Sequence, residues 1–149
     1  NGRRNHDEIR LWLDYIDGAD WIVDDAGVAG GLAPDAPFIV MGDLNADPAD
    51  GDSRGNPAGS LLDHPRVNGA FTPTSVVTGA SRRRGAWDVS DTAVWGLRVE
   101  YAQPSTDLTV TDGGVIRGSA DLPGGGLEGG FGASDHFPVW VEIALEKQE

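Results

Sequence analysis

The sequence predicts an α/β fold: one amphipathic helix near the start, then several short β-strands joined by long loops. Three observations carry this. Ile9, Trp12, Leu13 and Ile16 fall at i, i+3, i+4 and i+7, one apolar face of a helix. Phe38-Ile39-Val40-Met41 is a continuous apolar run with β-branched centre residues, and Val139, Val141, Ile143 and Leu145 alternate with Trp140, Glu142 and Ala144. The 149 residues include 22 Gly and 9 Pro, which favours many turns over long elements.

The elements follow in order. Asn5 is a suitable N-cap, with Asp7 and Glu8 in the first turn and Gly18 near the helix end. Trp21-Ile22-Val23 leads into a glycine-rich loop through Gly30 and Gly31. Phe38–Met41 reads as a buried strand ending at Gly42. From Asp43 to about Pro57 breakers are too frequent for regular structure. Leu97 to Ala102 reads as a strand with Val99 and Tyr101 on one face and Glu100 on the other. Leu108–Val110 and Val115-Ile116 flank Asp112-Gly113-Gly114, which predicts a hairpin there. No linker or fixed-period repeat divides residues 1–149.

The charge balance is strongly acidic: 24 acids against 11 bases give a net charge of −13, and Lys147 is the one lysine. A field of that sign repels nucleic-acid backbones, so nonspecific DNA binding is disfavoured. A phosphorylated substrate remains open, because a bound cation reverses the local potential. There is no cysteine, which excludes disulfides and thiolate metal sites. No apolar run approaches the roughly 18 residues of a membrane helix, and the chain carries no signal-peptide pattern.

Polar groups cluster just outside the predicted strands, in Gly42-Asp43-Leu44-Asn45-Ala46-Asp47-Pro48 and in Ser134-Asp135-His136-Phe137-Pro138-Val139. Asp43 and Asn45, two apart, project to one side of an extended chain. A carboxylate that accepts a proton beside an amide that holds water or an oxyanion suits hydrolysis, although an Asx-rich turn uses the same residues. Asp135 and His136 are adjacent and so cannot form an ordinary hydrolase triad. They can serve separately, the acid toward a metal and the ring toward a phosphate, although a lone Asp-His pair in a loop is more often without such a role. Glu100, inside an apolar strand, is either solvated or paired, with His136 as a candidate partner.

Together, GDLNADP, LRVEYAQPS and SDHFPV resemble signatures of the endonuclease/exonuclease/phosphatase superfamily of metal-dependent phosphoesterases. The opening RRNHDEIRLW with Thr72-Pro73-Thr74-Ser75 is similar to a bacterial, predominantly secreted branch. The resemblance implies that Asp43 orients or deprotonates the attacking water beside Asn45, that Asp135 binds the cation, and that His136 stabilises phosphoryl charge. It implies Mg²⁺ as cofactor, with Mn²⁺ or Ca²⁺ as alternatives. Glu100 stands where the family usually has an aspartate that pairs with the catalytic histidine. The family fold is a four-layer α/β/β/α sandwich, of which residues 1–149 resemble the C-terminal half: one mainly antiparallel or mixed sheet with an outer helix. The N-terminal half, with a glutamate metal ligand and a further histidine, is then expected as a partner or missing segment.

The resemblance therefore implies a divalent-metal-dependent phosphoester hydrolase, acting by water attack on phosphorus, in a secreted or cell-surface location. The expected substrate is a phosphorylated small molecule or lipid headgroup. The alternative is a non-catalytic, calcium-stabilised binding module, for which Asp47, Asp50 and Asp52 offer acidic groups. Asp43, Asn45 and Asp47 mimic a calcium loop, but Pro48 and Arg54 stand where its glycine and final acid belong. Gly124–Gly129 matches GxGxxG without the flanking strand and helix, and Arg82-Arg83-Arg84 reads as an exposed loop able to grip phosphate.

Overall fold

A computed structural model describes residues 2–81, 84–121 and 134–145. Arg82, Arg83, Lys147 and the Gly124–Gly129 motif lie outside the described residues. Helix α1 (Gly2–Ile16) is followed by β1 (Ile39–Asp43), a short α2 (Pro57–Leu62), β2 (Ala80–Ser81), β3 (Gly85–Ala86), β4 (Glu100–Pro104), β5 (Val110–Val115) and β6 (Val139–Ile143). Instead of one sheet, the described strands form three antiparallel pairs, β1–β4, β2–β3 and β5–β6. Isolated bridges, among them Ala93 with His136 and Thr74 with Gly114, connect the segments between them.

Helix α1 begins before Asn5, which is therefore not its cap. The Asn5 side chain instead donates from Nδ2 to the Leu44 carbonyl at 2.7 Å, tying the helix to the loop after β1. Ile9 and Ile16 are buried, but Trp12 is 46% exposed. The ladder beneath covers the Ile9–Ile16 stripe, and Trp12 lies at its margin, edge-on to Tyr15 with ring centroids 6.5 Å apart.

The core joins Ile9 and Ile16 to Val40, Leu44, Ala46, Ala58, Leu61, Val67 and Tyr101. Side chains alternate across a strand, so Val40 and Tyr101 face the helices while Met41, Asp43 and Glu100 face away. Met41 is 66% exposed, so β1 is buried on one face only, contrary to the fully buried strand expected of an unbroken apolar run. α2, not anticipated, starts where Asn56 caps the chain: its Oδ1 accepts from Gly59 N at 3.2 Å, and Pro57 supplies a preset first-turn φ.

The expected hairpin at Asp112–Gly114 is absent. Those residues lie within β5, paired with Glu142, Val141 and Trp140 of β6. The glycines serve close approach rather than a turn: a Cβ on Gly113 would sit 2.4 Å from Phe71 Cζ. The fourth strand starts later than expected, at Glu100, because the Val99 and Glu100 amides are both taken by a threonine hydroxyl. The last strand ends at Ile143, and Leu145 is 81% exposed.

Candidate active site

The β1–β4 ladder sets the site by register: Asp43 is the direct cross-strand partner of Glu100. Opposed residues of an antiparallel pair share one face, so both carboxylates rise from the side away from the helices. Gly42, just before Asp43, has φ +135°, a conformation open to glycine and strained for other residues. Asn45 has φ +46°, in the left-handed region that asparagine tolerates. Asp43 thus sits between two positions of unusual backbone conformation, one inside β1 and one just after it. Asn45 holds that carboxylate twice, donating from its backbone N to Oδ1 at 2.8 Å and from Nδ2 to Oδ2 at 3.0 Å.

His136 arrives from the loop before β6, where its backbone N donates to Ser134 Oγ at 3.1 Å. Its Nδ1 lies 2.6 Å from Glu100 Oε1. An ionised carboxylate has no proton to give, so Nδ1–H donates and Nε2 is left free. Burial pushes the Glu100 carboxyl above its ordinary range and the negative charge of Asp43 adds to this, while the bond from His136 pulls the other way. Trp95 meets the His136 ring nearly perpendicularly, with centroids 4.9 Å apart. A cleft of about 450 Å³ opens beside the ladder, bordered by Met41, Glu100, Ser134, His136, Phe137 and Val139.

Asp43, Glu100 and His136 present ligand atoms that all lie within 4.8 Å of one another. Two carboxylates and an imidazole suit a divalent cation. Glu100 and His136 are bonded to each other and both Asp43 oxygens accept from Asn45, so Asp43 would meet an ion through its remaining lone pairs. Asp135 stands outside that three-residue group; its side chain is 70% exposed, with Oδ1 4.0 Å from His136 Nε2. An ion that keeps most of its water and takes one or two carboxylates fits such donors.

Asp47 is turned toward the backbone. It is 6% exposed, and its Oδ1 accepts from Ala49 N and Asp50 N at 2.8 Å each, while Oδ2 accepts from Arg98 N at 2.6 Å. Both oxygens are spent on backbone. Tyr101 braces the same loop, donating to Ala46 O at 2.8 Å, and burial drives its hydroxyl pKa upward. The sequence reading missed Trp95 and Thr92; Thr92 stands in the polar stretch Asp88-Val89-Ser90-Asp91-Thr92, but that stretch flanks no predicted strand.

A fixed carboxylate and amide facing an imidazole held by a second carboxylate can activate water and steady a developing anion, which is hydrolytic chemistry. The chain belongs to the Endonuclease/Exonuclease/phosphatase family, whose model matches residues 4–136. That family is generally one of phosphoester hydrolases and nucleases that depend on divalent metals. No curated protein and no solved structure matches the chain.

Proposed function

We propose that this protein is a phosphodiesterase that uses Mg²⁺, with Mn²⁺ as a substitute, to hydrolyse a small phosphorylated molecule or lipid headgroup. The observation that carries the proposal is the convergence of Asp43, Glu100 and His136, because it sets a proton acceptor and an anion-stabilising ring on one face. Asp43 accepts the proton of the attacking water, and Asn45 keeps that carboxylate aimed. His136, its Nδ1 committed to Glu100, donates from Nε2 to a phosphoryl oxygen in its imidazolium form, in which both ring nitrogens carry protons. A divalent ion, held by Asp135 with Asp43, would supply Lewis-acid polarisation of the phosphoryl group.

The size of the cleft supports a small substrate, and the charge of −13 supports it over duplex DNA. No described helix is long and apolar enough to cross a membrane. The exposed Met41, on the ladder face away from the helices, supports a further part of the same fold packing there, supplying the remaining ligands.

The test is hydrolysis of an aryl phosphodiester with Mg²⁺, with and without EDTA. Asp43→Asn preserves shape and removes the base, so kcat should fall about 10²–10⁴-fold, with KM little changed. Hydrolysis that survives both EDTA and Asp43→Asn would refute the reading.

A further inference from the structure

Both ends of the Glu100–His136 hydrogen bond lead back to one residue that is neither acid nor base. Thr92 is 1% exposed. Its Oγ1 accepts from Val99 N and from Glu100 N, each at 2.8 Å. Its carbonyl accepts from Phe137 N at 2.7 Å, one residue beyond His136. Its own N donates to Leu97 O at 2.9 Å. The hydroxyl thus holds the start of the strand bearing Glu100, and the backbone of the same residue holds the loop bearing His136.

The geometry explains why a hydroxyl stands here. Consecutive strand amides normally point to opposite sides, yet those of Val99 and Glu100 converge on one oxygen. A buried amide without an acceptor is rare in native structures. An oxygen acceptor at this point satisfies two and lets the chain bend into β4 at the residue that faces the site. The neighbouring backbone is braced from several directions. Arg117, 7% exposed, donates from Nε to Asp91 O at 3.1 Å and from Nη2 to the same oxygen at 2.6 Å. Trp87 Nε1 donates to Val94 O at 3.1 Å, and Val94 N donates to Asp135 O at 3.0 Å. The same segment carries Trp95, whose ring stands against His136. The strap from Asp91 to Trp95 is therefore fixed on its outer side and touches both partners on its inner side.

We propose that Thr92 is a positioning residue: its hydroxyl and carbonyl together set the separation of Glu100 from His136, and so the orientation of the imidazole. Its catalytic meaning rests on the phosphoesterase reading above; its geometric content does not. In this structure the 2.6 Å bond is made by the longer glutamate, and Thr92 holds the backbones at the spacing that this side chain spans.

The experiment combines NMR on the full chain with kinetics. In the wild-type protein the Val99 and Glu100 amide protons should exchange slowly, and the His136 Nδ1 proton should give a resolved downfield signal. Thr92→Ser keeps the oxygen and should retain both, with kcat within about threefold of wild type. Thr92→Val keeps the shape and removes the acceptor. It should lose the downfield signal and at least tenfold in kcat, with KM within twofold. Rapid Val99 and Glu100 exchange in wild type would overturn the inference even if Thr92→Val does not fold. So would a Thr92→Val protein that keeps the downfield signal, or a Thr92→Ser protein that loses it. If wild type hydrolyses no phosphodiester but the NMR results hold, the phosphoesterase reading fails and the positioning inference stands.

Discussion

Replacing Glu100 by Gln tests the site at its shortest described contact. The His136–Glu100 bond is 2.6 Å long, and the two side chains are 29% and 20% exposed. A hydrogen bond to a charged group contributes about 1.5–3 kcal/mol and a neutral one about 0.5–1.5. Glutamine keeps an accepting oxygen but removes the charge, so the loss is roughly 1–1.5 kcal/mol, or about 5- to 13-fold in kcat/KM. Glu100→Asp keeps the charge on a shorter arm that a water can bridge, and should fall between wild type and Gln. The assay is aryl phosphodiester hydrolysis with saturating Mg²⁺ from pH 6 to 8, paired with thermal melts. Stability should move the other way. Burial raises the Glu100 carboxyl, so its favourable contribution is full below its unfolded value and is lost as pH rises through the folded one. At pH 7 glutamine escapes that penalty, and Tm should stay level or rise while activity falls. Equal activity of Glu100→Gln and wild type across this range, or activity loss that merely tracks Tm, would refute the assignment.

The remaining predictions concern the frame. Gly42→Ala forces a Cβ onto a backbone at φ +135° and should cost about 1–3 kcal/mol in a denaturant melt, with activity lost through displaced Asp43. Asp47→Ala orphans the amides of Ala49, Asp50 and Arg98 and should lower stability by about 2–4 kcal/mol, whereas added Ca²⁺ should leave the wild-type Tm in place. For Asp121, burial alone would raise the carboxyl. Bonds from Arg117 N, Ser75 Oγ and Val76 N outweigh it and hold the carboxyl below its ordinary range. That stability is present above about pH 4 and lost as pH falls through the folded value. The Tm gap between wild type and Asp121→Asn should therefore narrow in acid titrations.

Local patterns that obey one period were legible. The i, i+3, i+4, i+7 spacing in α1 and the alternation in β6 give the right elements, although only α1 buries residues of its apolar face, Ile9 and Ile16, and β6 is half-buried on both faces, Glu142 apart. What periodicity does not carry is how far a stripe is covered: Trp12 and Met41 are apolar yet exposed, a consequence of which surfaces the ladder and helices share. Asp112-Gly113-Gly114 has turn composition, but Gly113 answers to Phe71, more than 40 positions away in sequence, and Gly114 to Trp140 and Thr74. Asp43, Asn45 and His136 stood out because polar groups beside apolar strands are conspicuous. Thr92 did not, since a threonine whose value lies in receiving two distant backbone amides has no local signature.

The site is in this sense a product of register more than of side-chain supply. Asp43 and Glu100 share a face because β1 and β4 pair at that residue and no other. A slip of one position would send Glu100 toward the helices and bring Tyr101 to the site. Three devices resist the slip at the site end of the ladder. Leu44 N donates to Val99 O at 2.8 Å, Tyr101 donates its hydroxyl to Ala46 O, and Asp47 reaches across to Arg98 N. Each ties the loop after Asp43 to the strand of Glu100, and each comes from a residue outside the chemistry. The consequence is that activity should be sensitive to these buried bonds through geometry, because they fix where Asp43 and Glu100 stand. The GDLNADP segment accordingly does two things: Asn45 holds Asp43 opposite Glu100, and Asp47 fixes the register that places them.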